Sequence, residues 1–143
     1  EKPEVLKILL AAGSDVSGAK LMDMAVNEFN YELISLLLAN KGNTTFVDRK
    51  GNTFLHRVAN KKGKESLVKL FINAKLNLDA KNKDGETPLH LAARSGRGNV
   101  ESVRLLIMAG ADVNAKTNKG KSVLKRCNNK PSKKLLIEAG AIK

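Results

Sequence analysis

Tryptophan is absent from this sequence, and aromatic residues make up only 3% of it. Any core must therefore be built from Leu, Ile, Val and Ala, which suits closely stacked helices with small residues at their contacts. A lone cysteine, Cys127, excludes an intramolecular disulfide and cannot form a zinc cluster by itself. No apolar run approaches the roughly 18–20 residues of a membrane span, so membrane insertion is not expected. The only histidines are His56 and His90, and no HxxxH, CxxC, GxSxG or phosphate-cradling glycine loop occurs. Metal, nucleophile and nucleotide chemistry thus have no ligand sets, and neither catalysis nor a cofactor is expected.

What the chain has in excess is positive charge. Lys and Arg number 26 against 14 acids, a formal net charge of +12 over 143 residues. Such an excess points to an acidic partner, whether protein, nucleic acid or membrane surface. The plainer alternative is a solvated, lysine-rich surface without a specific role. Few aromatics for base stacking and few arginines for bidentate base contacts make nucleic acid the weaker partner class.

The chain is organised around Gly85-Glu86-Thr87-Pro88-Leu89-His90-Leu91-Ala92-Ala93. Thr87 can cap a helix with its hydroxyl, and Pro88 follows where its missing N–H costs nothing. Leu89, Ala92 and Ala93 form an apolar stripe at helical spacing. A second helical pattern runs from Val100 to Ala109 and stops at Gly110, before Ala111-Asp112-Val113-Asn114. The other segments are weaker copies. Gly51-Asn52-Thr53-Phe54-Leu55-His56 keeps everything but the proline, and His56 and His90 lie 34 positions apart.

This unit resembles an ankyrin repeat: the TPLH tetrapeptide, the Leu-Leu run of the second helix and the Gly-Ala-Asp-Val-Asn ending stand together with a period near 33. The resemblance implies an all-α ankyrin-repeat solenoid of paired antiparallel helices with β-hairpin loops, about four full repeats plus a partial N-terminal one. The units are 1–17 (partial), 18–46, 47–80, 81–115 and 116–143, the last a polar terminal cap, together forming one domain. A start inside a repeat, at Glu1, suggests a piece of a longer protein. In the full units the stop residue lies 14 positions before the leucine that opens the next inner helix, as from Lys75 to Leu89; Gly13 to Leu21 spans only 8. The first connection should therefore lack its finger. The second unit, with Leu21, Met22 and Ala25 in the signature positions, has lost its cap residues. Gly96-Arg97-Gly98-Asn99 is a small insertion whose two glycines predict a mobile turn. Cys127 aligns with Ala92 and should be a buried, inert thiol.

The resemblance also implies a function: a non-enzymatic protein–protein interaction module, a scaffold or adaptor, that binds through finger tips and the concave face. Carried over residue by residue, the tip positions are Val47, Arg49, Lys50 and Asn52, then Lys81, Lys83, Asp84 and Glu86, then Lys116, Asn118, Lys119 and Lys121. The inner-helix ends add Asn60, Lys61, Arg94 and Ser95. Nine of these sixteen are Lys or Arg and two are acids. The expected binding residues are therefore Arg49, Lys50, Asn52, Asn60, Lys61, Lys81, Lys83, Arg94, Lys116, Lys119 and Lys121, facing an acidic segment of another protein. A monomeric domain in the cytoplasm or nucleus is the setting this implies. Two alternatives stay open: an inhibitor resembling the NF-κB inhibitors, against which the charge argues, and a cytosolic regulatory domain of a larger enzyme or channel. The two histidines should hydrogen-bond backbone and tie neighbouring loops together. Asn114 and the Leu76-Asn77 equivalent should bond the backbone of the hairpin that follows; Asn114 also looks like the ankyrin asparagines that can be hydroxylated.

Overall fold

Thr53 and Thr87 each open a helix by the same reciprocal device. The threonine hydroxyl accepts from the backbone N–H three residues on, and that residue's imidazole accepts from the threonine N–H. Pro88 pre-sets the first turn of the second of these helices. A polar side chain also caps three other helices, from Asn30, Ser122 and Asn129. The computed structural model describes residues 19–95 and 99–142. The expected helix of the partial first unit, the shortened connection after Gly13, any cap before the first described helix and the turn at 96–98 lie outside them.

Among the described residues eight helices follow in order: α1 (Ala19–Asn27), α2 (Tyr31–Ala39), α3 (Phe54–Ala59), α4 (Glu65–Asn73), α5 (Pro88–Arg94), α6 (Val100–Met108), α7 (Val123–Arg126) and α8 (Lys130–Glu138). The chain divides into two compact units, Glu1–Phe46 and Val47–Lys143. In the first, α1 packs on α2, and Met22, Ala25, Val26, Ile34 and Leu37 are buried. Leu33, Leu36 and Leu38 on α2 are only half-buried.

The second unit is a two-layer stack. Inner helices α3, α5 and α7 pack successively on one another, outer helices α4, α6 and α8 do the same, and each inner helix packs on its own outer one. The core is aliphatic apart from Phe54 and Phe71, both fully buried, whose rings stack with centroids 6.1 Å apart. Small Ala92, Ala93 and Ala59 sit fully buried where inner helices meet their neighbours. Cys127 is buried and free; burial pushes its thiol pKa up, with the Asn129 backbone and the Lys133 charge pulling the other way.

Helix ends follow the glycine rule even where glycine is missing. At Gly110 and Gly140 the chain turns left-handed, and the next N–H bonds the carbonyl five residues back, Ala111 to Leu106 and Ala141 to Leu136. Lys41 and Lys75 do the same with φ of 58° and 62°. These lysines accept a conformation that their Cβ disfavours.

Candidate functional site: the finger stack and the inner-helix cleft

Ahead of inner helices α3, α5 and α7 the second unit projects three fingers, each a tight turn with a left-handed glycine: Gly51, Gly85 and Gly120. A side chain at the first turn position fixes each one. Asp48 Oδ1 accepts from the N–H groups of Lys50 and Asn52, and Asn82 Oδ1 accepts from those of Asp84 and Glu86. Thr117 Oγ1 accepts from Lys121 N–H. Burial alone would raise the Asp48 pKa, but donors from Asn52 and Lys50, with Arg57 nearby, hold it below the usual carboxylate value. Each hairpin closes through a backbone bond, such as Asn82 N–H to the Glu86 carbonyl at 3.0 Å. The arms are too short for regular strands; the third carries a single bridge between Lys116 and Ser122.

The fingers are then bonded to one another. Lys83 N–H donates to the Lys50 carbonyl at 2.9 Å, and Asn118 N–H donates to the Asp84 carbonyl at 3.0 Å. Asn82 Nδ2 reaches Asn52 Oδ1, and Asn118 Nδ2 reaches the Lys83 carbonyl at 2.8 Å. The approach is so close that a Cβ on Gly85 would lie 2.5 Å from Asn118 N.

The histidines lock fingers to inner helices. His56 Nε2 meets the Glu86 carbonyl at 2.9 Å, and His90 Nε2 meets the Lys121 carbonyl at 3.3 Å. Since both Nδ1 atoms accept from threonine N–H groups, each neutral ring carries its proton on Nε2 and donates it to the next repeat. Burial lowers both pKa values, outweighing the carbonyls and carboxylates that favour the charged form. This is the backbone-tying role expected from the sequence.

Arg49, Lys50, Lys81, Lys83, Lys116, Lys119 and Lys121 are all exposed along this stack. Three of the expected residues have structural partners: Asn52, Lys81 and Arg94, the last paired with Glu86. Asn52 is half-buried between Asp48 and Asn82, and Lys81 Nζ donates to the Lys116 carbonyl at 3.1 Å. Asn60, Lys61 and Arg94 are exposed at inner-helix ends. The structure brings Arg94, Lys119 and Lys121 together in a cleft of about 430 Å³ beside the second and third fingers, whose other walls are Asp84, Glu86, Thr117, Asn118 and Arg126.

Glu86 departs most from its expected place as an exposed tip acid. It is 4% exposed, and its Oε1 accepts from both Arg94, at 3.1 Å, and Arg126. Two positive inner-helix side chains thus share one buried carboxylate. No local pattern announces this, because Arg126 lies 40 positions away. Asn99 was equally hidden. It does not cap α6 but buries its side chain against the Ala59 carbonyl at 2.7 Å. Asn114 also differs from expectation: it bonds the Gly140 carbonyl and the Ile142 N–H at the end of the next repeat, not the hairpin that follows. Asn77 stays local, accepting from Asp79 N–H.

Among the described residues no group of three or more His, Cys, Asp or Glu side chains could hold a metal ion, and no helix is long and apolar enough to cross a membrane. A family model of ankyrin repeats in three copies matches residues 21–117. The NF-kappa-B inhibitor cactus of Drosophila yakuba is 30% identical over 121 residues, covering 82% of this chain and 24% of that protein. The poly [ADP-ribose] polymerase tankyrase of Caenorhabditis elegans is 48% identical over 69 residues, 48% of this chain and 3% of the enzyme. Delta-latroinsectotoxin-Lt1a of Latrodectus tredecimguttatus is 46% identical over 66 residues, 46% of this chain and 5% of the toxin. The chain spans no more than about a quarter of the length of these relatives. With its capped inner helices, left-handed helix stops and bonded fingers matched by the family model over most of its length, the chain belongs to the ankyrin repeat family.

Proposed function

We propose that this chain is a single non-enzymatic binding domain whose basic finger tips and concave face hold an acidic segment of another protein. Ankyrin repeats as a class mediate protein–protein interaction; the partner's chemistry is what the charge distribution adds. One observation carries the proposal: exposed lysines and arginines recur along three fingers that backbone bonds fix in register. Fingers held in register gather these cations on one face, and their attraction for a carboxylate-rich segment is screened by salt. The domain acts as a monomer in the cytoplasm or nucleus, and needs no cofactor. The histidines serve the fold, and the match to tankyrase covers too little of that enzyme to carry its activity across.

The test is the affinity of a fluorescent glutamate-rich peptide for the native chain and for the double variant Lys83→Glu/Lys119→Glu. Both side chains are exposed, so the melting temperature should hold while affinity falls about tenfold or more. Unchanged affinity, or collapse of the fold, would remove these tips from the binding surface.

A second reading has one observation in its favour, the similarity to an NF-kappa-B inhibitor across most of this chain. Such an inhibitor would mask a basic surface and should present acids where this chain presents lysines. Preferential binding of a basic peptide would support it.

A further inference from the structure

Within the finger stack one place is built differently from the rest. We infer that the cleft between the second and third fingers and helices α5 and α7 is an anion pocket, in which Arg94 and Arg126 grip a carboxylate of the partner's acidic segment. This inference rests on the function proposed above and names the point where that segment is held.

Four cations, Arg94, Lys119, Lys121 and Arg126, line the cleft against two acids, Asp84 and Glu86. Lysines elsewhere on the fingers are exposed, and a single ion pair to one of them contributes little. The two arginines are different, because Glu86 has already ordered them. Its Oε1 takes one N–H from each guanidinium, and Glu86 is itself held by Asn82 Nδ2 and by its backbone N–H on Asn82 Oδ1. Its carbonyl accepts from His56, so the carboxylate's position is set from both sides.

A guanidinium has five donors, so most of those on Arg94 and Arg126 remain for a ligand. Arg126 Nε is buried without a hydrogen-bond partner among the described residues, so contacts to a ligand fall to the terminal amino groups. One carboxylate between two guanidinium groups leaves the pair with a net positive charge, ordered before any ligand arrives. A second carboxylate entering the cleft would meet a bidentate donor set whose entropy cost has been met by folding. The matching positions in the first finger hold Asn52 and Asn60 instead of Glu86 and Arg94, and the third finger has Lys121 in place of Glu86, so this arrangement occurs once in the three fingers.

The experiment measures affinity for the same glutamate-rich peptide, at about 50 mM salt, with the 143-residue chain and single-charge variants. Arg94→Gln and Arg126→Gln should each weaken binding about tenfold or more, since each removes charge-assisted bonds. Lys50→Gln and Lys83→Gln, which remove the same charge outside the cleft, should weaken it about twofold. Glu86→Gln keeps an acceptor for both arginines but removes the internal counter-charge, and should tighten binding about threefold. In NMR spectra of the native chain, the Arg94 and Arg126 side-chain Nε–H signals should shift on peptide addition. Equal losses from arginine and lysine variants, weaker binding by Glu86→Gln, or unmoved arginine signals would overturn the pocket while leaving the basic face intact. No binding of the acidic peptide by the native chain would overturn the proposed function and the pocket with it. If Arg126→Gln fails to fold, Glu86→Gln and the arginine signals decide.

Discussion

Three glycines with nearly the same backbone angle have different neighbours, which separates two costs usually confounded. Gly51, Gly85 and Gly120 have φ of 77°, 74° and 68°. An alanine at any of them meets the left-handed penalty of about 1–2 kcal/mol, offset by about 0.4–1 kcal/mol from a less flexible unfolded chain. At Gly120 nothing lies within 4 Å of the new Cβ, so Gly120→Ala should cost only this net amount, about 1 kcal/mol. At Gly51 the Cβ comes 3.1 Å from Lys83 N, which must give slightly while bonded to the Lys50 carbonyl. Gly51→Ala should therefore cost about 1.5–2 kcal/mol. At Gly85 the Cβ lies 2.5 Å from Asn118 N and closer still to Asn118 Oδ1, so the third finger must move. That movement sacrifices the bonds from Asn118 to the Asp84 and Lys83 carbonyls, each worth about 1 kcal/mol, for a total near 3 kcal/mol. Urea unfolding with linear extrapolation resolves this ranking. Gly85→Ala should also weaken acidic-peptide binding, because it displaces one wall of the cleft. Equal costs at all three sites would refute the claim that the fingers are locked to each other.

Acidification should destabilise the fold in two stages. The folded-state pKa values of His56 and His90 lie below the unfolded value of 6.5, so below about pH 6.5 the unfolded chain binds protons that the native chain refuses. Stability should be flat above about pH 7 and fall toward pH 5, with a further loss below about pH 4 as Asp48 protonates; urea midpoints that rise on acidification would contradict this. Lys75→Gly relieves a left-handed lysine and should raise stability by about 0.5–1 kcal/mol, read as a higher melting temperature. Phe71→Ala opens a cavity beneath Phe54 and should cost about 3–5 kcal/mol, read as a lower urea midpoint with unchanged slope.

The parts of the fold legible in the sequence are those fixed by contacts a few residues long. The threonine cap, the histidine three residues on, the proline at the first turn and the stop residue all act within one helix, and their spacing survives in Thr53-Phe54-Leu55-His56. The same spacing places the non-glycine stop Lys75, which adopts the left-handed turn, as does Lys41. What the pattern does not carry is pairing between repeats. Glu86 sits at a tip position by alignment, yet its partner Arg126 belongs to the next inner helix and turns it into a buried counter-ion. Asn99 and Asn114 likewise reach partners 40 and 26 positions away. Helix α7 stops after four residues, where Asn128 turns to bond the Ala93 and Arg94 carbonyls of the preceding inner helix. Side-chain choice at such sites answers to a neighbouring repeat, and local periodicity says nothing about it.

The most direct measurement is a comparison of a glutamate-rich and a lysine-rich peptide of equal length, titrated against the chain at about 50 mM and then about 300 mM salt. A domain that presents fixed basic fingers should bind only the acidic peptide, and lose affinity as salt rises without losing it altogether. Binding of the lysine-rich peptide, or of neither, would contradict the central claim that the charge on these fingers selects the partner.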